Sequence, residues 1–470
     1  MRYCGISEDF HDASIAFIEE DGTVSFAAES ERYSKIKNDP QLHKYLCDMI
    51  RKTDLVTFYE DTSVRLEHAN KFSDVFNDNE NRFDRSKSYR YTKKHLHHVS
   101  HAAAAFYTRP WISCDDTVLL TIDGYGEYQT ATIMNSNFDL LYEDVYPNSI
   151  GVVYAIVTNL LGYKALEEEY IVMGMASFGE PTLLDTVRNA AEEYKTDRKA
   201  LFNNLSDYAL DEPENLAASV QAWAEEEILK LATKARKYGS KLCYSGGVAQ
   251  NIMANSKIIS SFDDMWIAAN PTDGGSSIGA AARTWALETG NDRLNWKDNY
   301  LGFDAKNATS PKKVAKWIFD NKYCGVMNGP AEFGPRALGN RSLLANPIYD
   351  IKDTVNKIKR RQPFRPFAPA ILEEFADEYF SGPMNEYMQY TAIAKHDYKS
   401  VTHVDGTARV QIVRKDSRSI LRPILEEFYE LTKVPMLLNT SLNVRGKPIC
   451  NDKYDAKLFE VTNGTKVFGS

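Results

Sequence analysis

Long apolar runs are missing from this chain. No stretch approaches the roughly 20 residues that a membrane-crossing helix needs, and the opening MRYCGISEDF has no signal-like apolar core. A membrane-crossing helix is therefore not expected, and a cytoplasmic location is. Cysteine is scarce. Cys4, Cys47, Cys114, Cys243, Cys324 and Cys450 are scattered, with no C-x-x-C pair. That excludes a thiolate zinc site and a disulfide framework, and it implies free thiols in a reducing compartment. Positive charge is not in excess: 56 Lys and Arg against 65 Asp and Glu leave a net charge of −9. Any polyanion must then be held by local basic patches, because no global field attracts it. Low-complexity tracts are also absent.

What is present is too long for one core. At 470 residues, two domains are the expectation. The polar stretch 288–299 marks the boundary, giving 1–297 and 298–470. The front part opens with a strand, Arg2 to Ile6, a loop, and a hairpin whose strands Ser14 to Ile18 and Thr23 to Ala28 flank Asp21-Gly22. The same plan returns later. The apolar run Val118 to Ile122 ends in Asp123-Gly124-Tyr125-Gly126-Glu127, and strands Thr130 to Met134 and Leu140 to Val145 follow. A repeated strand, acidic loop and hairpin suggest two pseudo-duplicated α/β lobes. Residues 183–240 read as helices, as does Ser276 to Leu287. The remainder reads as a second, smaller α/β or α+β domain.

Four of the nine histidines, His95, His97, His98 and His101, fall within seven positions. His97 and His101 are spaced i, i+4 and so share one helix face. Two imidazoles at that spacing suit a divalent metal that recruits carboxylates. Asp123 and Asp273, each beside glycine, are the candidates. Chance histidines on a surface helix are the alternative. Ser245-Gly246-Gly247-Val248-Ala249-Gln250-Asn251 and Asn270 to Gly275 are glycine loops that let backbone N–H groups approach a phosphate or ribose. Each alone is weaker evidence than the two together with the Asp123 turn. In the back part, Lys352, Lys357, Lys359, Arg360, Arg361 and Arg365 crowd fourteen residues, and Arg336 and Arg341 sit in a Pro/Gly frame. Arginine forks suit phosphate. Arginines among apolar residues, as in Phe364-Arg365-Pro366-Phe367, call for anions. Arg409, Ser441, Asn443 and Arg445 lie in similar surroundings.

Together these segments resemble the NodU/CmcH-type carbamoyltransferases. The matching stretches include His11 to Ser14, Glu29 to Lys37, His97 to Ala102, Asp123 to Glu127, Glu169 to Gly179 and Gly246 to Asn251. Further matches are Asp273 to Gly275, Glu332 to Ser342, Lys359 to Pro369, His403 to Gln411 and Leu438 to Gly446. The resemblance implies a two-lobed actin/hexokinase-like front domain and a YrdC-like back domain. It implies that the back domain makes carbamoyladenylate from carbamoyl phosphate and ATP, and that the front domain passes the carbamoyl group to an acceptor hydroxyl. Carried over, His97, His101, Asp123 and Asp273 hold a divalent metal, with Fe(II) first and Mn or Mg as alternatives. Gly124, Gly126, Gly246, Gly247, Asn251 and Gly274 serve the nucleotide, with Mg accompanying ATP. Arg336, Lys359, Arg365, Arg409, Ser441 and Asn443 line the adenylate-forming pocket, and His11, Asp12 and Lys37 lie near the acceptor hydroxyl. A homodimer stays open. One departure stands out: Ile171 occupies the place, two residues after Glu169, where the family usually has lysine.

For the acceptor, Arg82, Arg85, Lys87, Arg90, Lys93 and Lys94 interleave with Phe83, Tyr89 and Tyr91. Cations with stacking rings are a nucleic-acid footprint, and a solvated loop is the bland equivalent. A hydroxymethylated pyrimidine in DNA, such as 5-hydroxymethylcytosine, is the expected acceptor, ahead of a sugar, nucleoside or antibiotic hydroxyl. An actin-fold sugar kinase, a tRNA threonylcarbamoyl transferase and a non-catalytic nucleotide module are the rival classes.

Overall fold

A computed structural model describes residues 1–68, 92–306 and 309–470. The chain forms two compact units. Met1–Ser30 and Asn38–Lys297 make the first, and Glu31–Lys37 and Asp298–Ser470 make the second. The sequence reading placed one cut and no excursion. The short segment 31–37 instead completes the second unit, where buried Arg32 donates to the Gly334 carbonyl at 3.1 Å and Lys35 pairs with Asp455 at 2.5 Å.

The first unit carries two five-stranded sheets of one plan. Strands β1 (Arg2–Ser7), β2 (Ser14–Glu19), β3 (Val24–Glu29), β4 (Leu55–Phe58) and β5 (Lys93–Lys94) lie in the order β3-β2-β1-β4-β5. Strands β6 (Thr117–Ile122), β7 (Gln129–Asn135), β8 (Leu140–Val145), β9 (Lys241–Ser245) and β10 (Asp264–Ile267) lie in the order β10-β9-β6-β7-β8. In each sheet the first strand pairs antiparallel with its hairpin and parallel with the strand beyond. The duplicated α/β layout expected from the sequence is therefore present in the two sheets. The β2–β3 hairpin turns at Gly22, whose φ of 82° suits glycine, while the Asp21 side chain accepts from the Thr23 amide at 2.9 Å.

Two helices bring the lobes' chemistry together. The histidine helix, His97–Thr108, is buried almost all round, as its Ala102 to Ala105 run allows. The aspartate helix, Asp273–Thr289, is buried from Asp273 to Ala286 except at Arg283, and its last turn reaches solvent. Its small residues permit very close packing. A Cβ on Gly279 would stand 1.8 Å from the Ser100 carbonyl oxygen, and one on Gly5 would stand 1.8 Å from that of Ser277. The helix read from Ser276 begins three residues sooner, so Asp273 sits in its first turn, not in the preceding loop. The Gly246-Gly247 turn differs as well. It opens a single 3₁₀ turn, Gly247–Gln250, and the α-helix starts only at Ile252, where Asn251 caps the Ala254 amide at 3.1 Å.

The second unit is built on a six-stranded mixed sheet. Its order is Gln411–Val413, Ala368–Leu372, Met436–Ser441, Arg341–Ala345, Tyr323–Met327, Val467–Phe468. Its core joins Val314 and Ile318 of one helix and Leu421, Leu425 and Phe428 of another to Val326, Leu343, Ile371 and Leu438 of the sheet. The helix Lys352–Lys359 ends at Arg360 in a left-handed conformation, φ 53°. Among the described residues, no helix is long and apolar enough to cross a membrane.

Candidate metal centre and anion chamber

Four side chains of the first unit converge on one point. His97 and His101 come from successive turns of the histidine helix, Asp123 from the end of β6, and Asp273 from the first turn of the aspartate helix. One donor atom from each lies within 4.8 Å of all the others. His97 Nε2 is 3.1 Å from Asp123 Oδ2 and 3.3 Å from Asp273 Oδ1, and His101 Nε2 is 3.2 and 3.1 Å from the same atoms. The two Nε2 atoms themselves stand 3.0 Å apart. Bare imidazole nitrogens repel at that distance unless a proton or a cation lies between them. The donor set, two imidazole nitrogens and two carboxylate oxygens, fits a divalent ion.

The charges tell the same story. Burial alone would lower His97, but Asp273, Asp123 and Glu60 outweigh it and raise it well above the ordinary histidine range. His101 is likewise raised against burial by Asp123 and Asp273. Burial would raise both aspartates, yet the imidazoles bring each of them down. Protons on the histidines thus balance the carboxylates here, and a divalent cation would replace them. The other two histidines are turned elsewhere. His98 Nδ1 meets Thr132 Oγ1 at 3.1 Å and His95 Nε2 meets Thr284 Oγ1 at 3.0 Å.

Supporting carboxylates are the residues that sequence reasoning missed. Glu127 accepts the His97 amide at 2.9 Å and the Asp61 amide at 2.8 Å, capping a helix whose own N-cap, Leu96, has no side-chain acceptor. Its place within the Asp123 to Glu127 match was the only available signal. Glu60, fully buried, forms a short ion pair with Arg65 and faces the far side of the His97 ring. Nothing in its local sequence announces that role.

His11 and Asp12 stand next to this centre. His11 Nδ1 is 3.1 Å from Asp12 Oδ2, and its Nε2 is 3.8 Å from Asp273 Oδ2. Burial pulls His11 down, but Asp273, then Asp12 and Asp123, push it up to about 9. Lys37 belongs to the second unit, where it pairs with Glu31 at 2.7 Å.

The glycines have separate tasks. Asp123 Oδ1 accepts the amides of Gly124 at 2.8 Å and Gly247 at 3.1 Å, which turns Oδ2 toward the imidazoles. Gly246 has φ 93°, and a Cβ there would meet the Ile122 carbonyl oxygen at 2.2 Å, so only glycine fits. Gly126 leaves room for His97, since its Cβ would lie 2.9 Å from that of the histidine. Gly274 lies in the first turn of the aspartate helix, and its carbonyl accepts the Ser14 hydroxyl at 2.6 Å. Asn251 is already engaged. Its amide exchanges two hydrogen bonds with Gln221, at 3.0 and 3.1 Å. Ile171, in the family's lysine position, is fully buried, so no cation reaches that site from it.

The second unit gathers a cationic chamber. Buried Lys359 donates to Ser441 Oγ at 3.1 Å, Asn443 Oδ1 at 2.9 Å and the Asn443 carbonyl at 3.0 Å. Burial, then Arg361 and Arg365, hold its ammonium well below the usual lysine value. Arg409 is depressed by burial and then by Arg336, Arg361 and Arg365. Arg365 thus acts on both Lys359 and Arg409, Arg336 acts on Arg409, and Ser441 and Asn443 bond Lys359 directly. The charges that act most strongly on Arg409 are positive, a setting that favours an anion. Arg341 does not join them. It lies at 0% exposure and donates to the carbonyls of Phe303, Asn328, Gly329, Asn340 and Asn451. The pairing of Arg336 and Arg341 as phosphate forks is therefore corrected: carbonyl oxygens occupy the Arg341 guanidinium.

The acceptor segment 82–91 lies outside the described residues. Of its described continuation, Lys93 forms a short ion pair with Glu288 and Lys94 pairs with Asp61 at 2.6 Å.

Residues 84–282 match the family described as Carbamoyltransferase N-terminus, and residues 315–467 match Carbamoyltransferase C-terminus. Nodulation protein NolO of Bradyrhizobium diazoefficiens is 30% identical over 414 residues, covering 77% of this chain and 75% of that protein. Nodulation protein U of Rhizobium tropici is 29% identical over 539 residues, covering 95% of this chain and 92% of that protein. Among solved structures, component A of (R)-2-hydroxyglutaryl-CoA dehydratase from Acidaminococcus fermentans is similar at 11% identity and a TM-score of 0.40. It covers 62% of this chain and 100% of its own.

Proposed function

The chain belongs to the carbamoyltransferase family, and from that premise we propose that it is an ATP-dependent O-carbamoyltransferase in which each unit carries one half-reaction. The observation that carries the reading is a pair of sites of opposite character. One is a four-donor centre with adjacent His11 and Asp12; the other is a chamber whose charges are cationic.

In the second unit, water adds to the carbamoyl carbon of carbamoyl phosphate, the bond to phosphate breaks, and carbamate and inorganic phosphate result. A carbamate oxygen attacks the α-phosphorus of ATP, the bond to pyrophosphate breaks, and carbamoyladenylate forms. Arg336, Arg365 and Arg409 would neutralise the phosphate oxygens as charge gathers on them. Lys359, oriented by Ser441 and Asn443, would be stabilised in its charged form by the arriving phosphate, which offsets Arg361 and Arg365. A YrdC-like identity for this unit belongs to the same proposal.

In the first unit the acceptor oxygen attacks the carbamoyl carbon, and the carbon–oxygen bond to AMP breaks. AMP is a far better leaving group than the hydroxide that free carbamate would have to expel. His97, His101, Asp123 and Asp273 would hold a divalent ion, and their nitrogen-containing set suits Fe(II) or Mn(II) better than Mg(II). Such an ion would supply Lewis acidity toward a carbonyl or phosphate oxygen. A divalent ion on Asp273 and Asp123 would offset the negative charge that holds His11 protonated, and the neutral ring, oriented through Nδ1 by Asp12, is the group assigned to take the hydroxyl proton, a contribution of roughly 10²–10⁴-fold. The amides around Gly246, Gly247 and Gly274 would meet the adenylate, with Asn251 exchanging its Gln221 partner for it.

For the acceptor we carry forward 5-hydroxymethylcytosine in DNA, presented flipped or single-stranded. Its support is the basic and aromatic sequence from Arg82 to Tyr91. Incubation with ATP, carbamoyl phosphate and a panel of hydroxymethylated DNA, sugars and nucleosides tests the whole reading. The expected result is AMP release that depends on carbamoyl phosphate, with carbamoylated product detected by mass. ADP release without carbamoyl phosphate would instead mark a kinase and overturn it.

A further inference from the structure

A cation facing Nε2 of His97 requires that nitrogen to be bare, so the ring proton must sit on Nδ1. Nδ1 is buried and makes no hydrogen bond as the side chains stand, and it looks toward Glu60 Oε2 at 3.7 Å. Glu60 is at 0% exposure. Oε2, the oxygen that faces His97, also pairs with Arg65, while Oε1 makes no hydrogen bond. A buried ring N–H and a buried carboxylate with spare acceptor capacity, a few tenths of an ångström beyond bonding range, are a preformed pair. Three separate elements bring them there: Glu60 just past the end of β4, Arg65 from the helix Thr62–His68, and His97 from the histidine helix.

We infer that Glu60 is a positioning residue for the metal centre, receiving the Nδ1–H of His97 and fixing the ring with Nε2 toward the cation, while Arg65 holds Glu60 in place. The inference rests on the proposed metal reading. Arg65 braces a second wall as well. Its guanidinium lies 4.6 Å from the Phe10 ring centroid and 5.7 Å from that of Tyr125, and Phe10 packs 4.5 Å from His11. One cation therefore supports both the partner of a metal ligand and the side chain beside the acceptor. An ordinary structural ion pair would explain Arg65 and Glu60 alone. It gives no reason for the carboxylate to face a ligand's ring nitrogen.

The test uses the full-length protein, stripped of metal and titrated with Co(II). Glu60→Gln is expected to weaken Co(II) affinity on the order of 10–100-fold. It should also shift or speed the exchange of one hyperfine-shifted imidazole N–H resonance of the Co(II) form. If wild-type protein takes up no Co(II), the metal reading itself fails and the inference goes with it. If wild type binds but Glu60→Gln matches it in affinity and spectrum, only the inference falls. Should Glu60→Gln not fold, the double variant E60Q/R65M removes the stranded guanidinium and is expected to show the same weakening; wild-type affinity in that variant would overturn the proposal. In wild type alone, a slowly exchanging Nδ1–H assigned to His97 is required, and its absence would also overturn it.

Discussion

Replacing Gly279 by alanine tests whether the metal centre depends on the close approach of two helices. The new Cβ would lie 1.8 Å from the Ser100 carbonyl oxygen and 2.8 Å from the Ala104 amide nitrogen. Ordinary contact requires about 3.4 Å or more, so the helices must part by roughly 1.5 Å. Both opposing atoms are backbone and cannot swing aside. Overpacking of this kind costs typically about 1–3 kcal/mol, which lowers Tm by roughly 2–8 °C in a unit of this size. The consequence for metal binding is larger. Ser100 sits between His97 and His101, and Asp273 lies six residues before Gly279, roughly 9 Å along the axis. Metal–ligand distances tolerate only about ±0.2 Å. Gly279→Ala is therefore expected to lose at least tenfold in Co(II) affinity together with its drop in Tm, measured by titration and calorimetry. Gly174→Ala is the control: nothing lies within 4 Å of its Cβ, and its effect should be neutral or slightly stabilising. A Gly279→Ala protein that melts and binds like wild type would refute the packing argument.

Four further outcomes follow from particular residues. Lys359→Met should abolish carbamoyl-phosphate-dependent AMP formation while leaving Co(II) uptake unchanged, because Lys359 acts only in the second unit. Arg341→Met should lower Tm sharply without a selective kinetic effect, since five carbonyl oxygens lose their donor, whereas Arg336→Met should raise the KM for carbamoyl phosphate or ATP with little change in Tm. His95 is held down to about 4, first by burial and then by Arg283 and Lys93. Its folded value lies below the unfolded one, so its contribution is present above pH 6.5 and is lost as pH falls toward 4. That loss is roughly 3 kcal/mol, and denaturant titrations of His95→Gln should show a flatter decline over the same window.

The parts of this molecule that were legible share a local signature. Apolar strands followed by Asp-Gly turns expose both sheets, because strand periodicity and turn chemistry are written in adjacent residues. The spacing of His97 and His101 reveals one helix face, and Asp123 and Asp273 advertise themselves beside glycines. Other features depend on distant neighbours. Glu60 and Glu127 are undistinguished acids until β4, the histidine helix and the β6–β7 turn meet. Arg341 resembles a phosphate ligand in sequence, yet carbonyls from four separate stretches claim it. Residues 31–37 join the second unit through Arg32 and Lys35, whose partners lie hundreds of positions away. The start of the aspartate helix was misjudged for a different reason: Asp273-Gly274-Gly275 has loop composition, and only packing against its neighbours makes it helical.

The most direct test of the central claim is metal stoichiometry. The full-length protein would be reconstituted with Fe(II) without oxygen, freed of loose metal and analysed for bound iron. Wild type is predicted to retain about one ion per chain, and the His97→Ala/His101→Ala and Asp123→Asn/Asp273→Asn variants almost none, with Lys359→Met indistinguishable from wild type. Retention of iron by the double-histidine variant, or its loss from Lys359→Met, would contradict the account.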